Sequence, residues 1–61
     1  MTNRAFELLM KSGEYQLHGW MVNELKHYEL RLRQVGLDAR YEDTVLELMK
    51  EKIEQMLKES Q

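Results

Sequence analysis

His18 and His27 are the side chains in this sequence best suited to hold a metal ion or to shuttle a proton. They lie nine residues apart, a spacing that turns them to opposite sides of a helix. One chain therefore cannot offer both to the same ion. Glu14 with His18, at i and i+4, and Glu24 with His27, at i and i+3, each supply two ligands, short of the three or four that zinc requires. The carboxylates are interleaved with lysines, as in Glu47, Lys50, Glu51, Lys52 and Glu54, which is the pattern of a solvated helix face. Acid–base catalysis with a raised pKa needs a carboxyl isolated among apolar groups, and no such isolation is visible. Ser12 and Ser60 sit in no nucleophile motif, and there is no glycine-rich phosphate loop. The absence of cysteine removes thiolate nucleophiles, thiolate zinc sites and redox chemistry. No catalytic residue, metal or cofactor is expected, and an enzyme is not expected.

Binding is the remaining class. Lys26, Arg31, Arg33 and Arg40 are the candidate contacts to DNA or RNA, with Glu24 and Glu29 among them. Phosphate neutralisation supplies much of the affinity of nucleic-acid-binding domains, so a strong basic excess is expected of them. Here the net charge is −2, the sum of +1 over residues 1–40 and −3 over residues 41–61. Nucleic-acid binding is thus the alternative reading and protein binding the first.

Positioning any of these groups falls to helices, because the chain has no proline and three glycines. The breaks at Ser12-Gly13 and Gly36-Leu37-Asp38 predict three helices, at about residues 3–11, 13–35 and 39–59. Thr2 or Asn3 can cap the first, Ser12 the second and Asp38 the third. Gly36 takes the left-handed position after the second helix, with Leu37 folding back. Met21, Leu25, Tyr28, Leu32 and Val35 step by four and three, a heptad seam. Leu46, Met49, Ile53 and Met56 repeat that pattern, and Val45 and Leu57 widen it. At 1.5 Å per residue these helices span about 35 and about 31 Å, so a short loop implies an antiparallel hairpin. Gly19 is the weak point. It implies either a close backbone approach or a second helix that begins there, with Tyr15 and Leu17 alternating in an extended stretch; the continuous helix is the expectation.

Several apolar residues lie off both seams: Tyr15, Trp20, Val22, Leu30, Tyr41 and Leu48. A chain of 61 residues has room for one domain, and its core rarely contributes more than roughly 3–5 kcal/mol. A short first helix covers only part of this surplus. These six residues are therefore the expected protein interface of an all-α homo-oligomer, with pairing of hairpins into a bundle its simplest form. No apolar run exceeds three residues, far from the roughly 18 a membrane span needs, and no leader is evident, so the expected location is the cytoplasm.

Val35-Gly36-Leu37 followed by Val45-Leu46-Glu47-Leu48 resembles the small helical-hairpin phosphatases of the sporulation phosphorelay. The resemblance implies a hairpin that regulates signalling proteins. It transfers no active residue, because Met49-Lys50-Glu51-Lys52-Ile53 stands where that family carries Ser-Gln-Glu-Leu-Asp. The reading is a small non-enzymatic helical regulator or adaptor, a class common in bacteria and their phages. It would act on a larger protein through helix-face recognition.

Overall fold

Two of the three glycines end helices and the third begins one. The computed structural model describes residues 3–60 and contains α1 (Arg4–Lys11), α2 (Gly19–Gln34) and α3 (Glu42–Glu59), with a single 3₁₀ turn, Ala39–Tyr41, leading into α3. There is no strand among the described residues, and the chain is all-α. No helix is long and apolar enough to cross a membrane.

Helix α2 stops as expected. Gly36 has φ +107°, its N–H donates to the Arg33 carbonyl at 3.1 Å, and the Leu37 N–H donates to the Leu32 carbonyl at 3.1 Å. These two bonds satisfy carbonyls that a helix end otherwise leaves open. Gly13, at φ +73°, ends α1 in a related way, its N–H donating to the Met10 carbonyl. Ser12 belongs to this terminus: its hydroxyl donates to the Leu9 carbonyl at 2.7 Å. It does not cap α2.

The second helix is shorter than the expected 13–35, starting at Gly19. The reason is a change of period. Tyr15 and Leu17 both pack against the core, and residues i and i+2 share a side of an extended chain but lie about 200° apart on a helix. His18, with ψ 164°, is still extended at the N-cap position. Gly19 itself meets no close backbone, since a Cβ built on it finds nothing within 4 Å. It is simply the first helical residue. Val35, expected at the end of the seam, lies past the last turn and is 77 % exposed.

Asp38 caps the next element, its Oδ1 accepting from the Arg40 backbone N–H at 3.1 Å. The turn it opens is 3₁₀ before it becomes α at Glu42, so the regular third helix starts three residues later than expected. Glu42 and Asp43 occupy the first turn of α3 and Lys58 the last, as the helix dipole favours.

The core joins Ala5 and Leu9 of α1, Met21 and Leu25 of α2, and Val45, Met49, Ile53 and Met56 of α3. Phe6, Tyr28, Leu32, Leu37 and Leu46 pack around it, half-buried. Helix α1, at eight residues too short to be stable alone, contacts both longer helices. Across α2 and α3, Arg33 pairs with Glu42 and the Lys52 ammonium stands 5.5 Å from the Tyr28 ring centre.

Two substitutions separate backbone conformation from packing, because no side chain crowds either site. Gly36→Ala should destabilise by about 1–2 kcal/mol, since alanine strains at positive φ. Gly19→Ala should be neutral or stabilising by up to about 1 kcal/mol. Urea midpoints measure both. A third test concerns pH. The Arg40 backbone N–H and then its side chain hold the Asp38 carboxyl below its ordinary 3.8. Its contribution to stability is therefore complete above that pH and is lost as pH falls through the lowered value. Asp38→Ala should remove this part of the acid dependence, read as a flatter fall of melting temperature between pH 4 and pH 2 (roughly the carboxylate range).

Candidate functional site

The most unusual group in the molecule is Glu29, a carboxylate with no solvent exposure. It lies on the line Met21, Leu25, Glu29, Arg33, each four residues from the last, so α2 directs it inward with the core. Its two oxygens meet the start of α1: Oε2 accepts from the Ala5 N–H at 3.1 Å and Oε1 from the Phe6 N–H at 3.0 Å. With Asn3 at the N-cap position, these are the second and third helical residues, whose donors a capping side chain ordinarily satisfies. Asn3 makes no such bond, and its Oδ1 is buried with no partner among the described residues. Thr2, the other expected cap, lies outside the described residues. The cap of α1 thus comes from α2.

Arg33 completes the arrangement. Its Nη2 donates to Glu29 Oε2 at 2.9 Å and to Glu42 Oε1 at 3.1 Å, and its Nη1 to the carbonyls of Leu37 at 3.1 Å and Asp38 at 3.3 Å. One guanidinium therefore ties together α2, the turn after it and the first residue of α3. Burial opposes the charge on Arg33, but its hydrogen bonds to Glu29 and Glu42, with their Coulomb attraction, outweigh it and hold the group above its ordinary range. With both Glu29 oxygens and both terminal nitrogens of Arg33 engaged in fixed contacts, the geometry suits a structural clamp.

The other chemistry-bearing residues do not converge. His18 and His27 are both exposed, and among the described residues no three His, Asp or Glu side chains gather as a metal site would require. Of the four basic candidates, Arg33 is held inside as described. Arg40 pairs with Asp38 at 3.3 Å and stands over the Tyr41 ring. The Lys26 ammonium lies 5.3 Å from the Phe6 ring centre, and Arg31 is exposed. They form no shared stripe of free charge.

The six expected interface residues divide by exposure. Trp20, at 51 %, and Tyr41 are exposed; Tyr15, Val22, Leu30 and Leu48 are half-buried. Leu8 and Leu57 are exposed as well, and sequence periodicity had assigned Leu57 to the seam. Leu8, Leu9, Tyr15 and Leu46 line a shallow cleft of about 280 Å³ between α1, the extended segment and α3, together with Ser12, Glu14 and Lys50. Neither Leu8 nor Leu46 stands out in the sequence as an interface residue, because a leucine at helical spacing reads equally as core. No family model, curated protein or solved structure matches this chain.

Glu29→Gln tests the clamp. The amide keeps one acceptor but turns an N–H₂ toward a backbone N–H of α1 and withdraws a charge from Arg33. A loss of about 2–4 kcal/mol is expected, enough to unfold much of a domain whose core contributes roughly 3–5 kcal/mol. Hydrogen exchange gives the local readout: the Ala5 and Phe6 amides should be protected in the native chain and should lose that protection first in the variant.

Proposed function

We propose that this chain is a small, non-enzymatic helical regulator or adaptor that works by binding a larger protein and that also associates with itself. The register of Arg33 with Glu42 and of Tyr28 with Lys52 supports reading α2 and α3 as an antiparallel hairpin, with α1 laid across it. A second copy of the hairpin would extend it into a larger helical bundle.

One observation carries the reading. The core is closed, with Met21, Leu25, Val45, Met49 and Ile53 entirely removed from solvent, yet Leu8, Trp20, Val35, Tyr41 and Leu57 remain on the surface. Scattered single apolar residues are ordinary on a monomer. Five large ones on a molecule with 4434 Å² of surface are a heavy apolar load for so small a protein. Tryptophan and tyrosine are also the side chains that most often anchor protein interfaces. Recognition would then proceed by helix faces, with Trp20 and Tyr41 as anchors.

Trp20 is the sole tryptophan, so its fluorescence reports directly on this surface. In dilute solution its emission should be that of a solvent-exposed indole, and it should shift to shorter wavelength as the partner protein covers it. Trp20→Ala should change stability by no more than about 0.5 kcal/mol, as surface substitutions do, while weakening capture of the binding partner. Binding that instead fell steeply with rising salt and ignored Trp20 would point to phosphate contacts and overturn the reading.

A further inference from the structure

The cleft between α1 and α3 carries two opposite charges beside its apolar walls. Leu8, Leu9, Tyr15 and Leu46 supply the walls, and Glu14 and Lys50 line it with them. Glu14 is exposed and enters none of the described ion pairs, while Lys50 has only a long pair with Glu47 at 3.9 Å. We propose that this cleft is a twofold interface with a second copy of the chain, in which Glu14 of each protomer faces Lys50 of the other. The inference rests on the self-association read above and adds the face and the pairing that produce it.

Symmetry supplies the argument. In a twofold contact the same patch is used twice, so residue i meets j and j meets i. A patch with one acid, one base and an apolar strip is complementary to its own rotated copy, whereas a patch of one sign repels itself. The surface around Tyr41 lacks this property, because Arg40 beside it is already neutralised by Asp38 within the chain. Size requires more than the cleft. A stable interface removes roughly 800 Å² from each partner, more than the cleft alone offers. Leu8 and Leu57 continue the apolar surface: Leu8 is itself a wall, and Leu57 follows Leu46 and Lys50 along one stripe of α3, four and then seven residues apart.

The test is charge reversal followed by mixing. Glu14→Lys places two lysines opposite each other at both ends of the dimer, and Lys50→Glu places two glutamates there. Sedimentation should show each variant alone dimerising at least about tenfold more weakly than the wild-type chain, with helicity by circular dichroism unchanged. An equimolar mixture of the two should recover the dimer, because each lysine pair then meets a glutamate pair. Mixing cannot repair an effect confined within one chain, so recovery supports the intermolecular pairing even if one variant is less stable. A wild-type dimer with both variants unaffected, or with no recovery on mixing, would overturn the pairing while leaving self-association standing. A wild-type chain that stays monomeric at several hundred micromolar would overturn both.

Discussion

A single carboxylate, buried where α2 meets the start of α1, organises this small protein. Glu29 receives two backbone N–H groups that α1 cannot satisfy internally and one guanidinium donor from Arg33. An eight-residue helix has little intrinsic stability and gains its place from contacts with the rest of the chain. Leu9 and Ala5 contribute apolar burial to that docking, but burial is not directional. The two hydrogen bonds to Glu29 are directional, and they fix which end of α1 meets α2. Buried ion pairs offset their desolvation only when geometry is good and other bonds fill the remaining positions; here Glu29, Arg33 and Glu42 meet that condition together.

The same arrangement reaches the turn between α2 and α3. Arg33 holds the carbonyls of Leu37 and Asp38 while its neighbour in the fold, Glu42, opens α3. Gly36 supplies the left-handed conformation that lets Leu37 return toward the helix it leaves. Backbone conformation, one salt-bridged cluster and the core thus agree on a single path for the chain. Consistency of this kind gives a short sequence one folded state despite a modest core.

Glu29 and Arg33 are thus occupied in holding the fold. The distinctive features of the surface are exposed apolar side chains and a cleft with a charge of each sign. Such features suit contact with other proteins. The carboxylate of Glu29, by contrast, has both oxygens turned to donors within the fold.

Much of the architecture was legible in local pattern. Helical content, the two breaks, the left-handed Gly36, the Asp38 cap and the burial of Met21, Leu25, Met49, Ile53 and Met56 all follow from spacing and residue type, because they depend on neighbours in the chain. Residues 13–18 are not helical; Tyr15 and Leu17 carry a period of two, but six residues are too few to outweigh the long heptad pattern beyond them. Glu29 stands among basic residues in the sequence, and its partners lie 23 and 24 residues away at the start of α1. A local signal did exist in Glu29 and Arg33 following Met21 and Leu25 at intervals of four. The sequence alone therefore determined the helices and most of their inward faces, through periodicity and turn chemistry. Only the tertiary structure decided which charges are interior and which leucines stay outside, because burial depends on how separate elements dock.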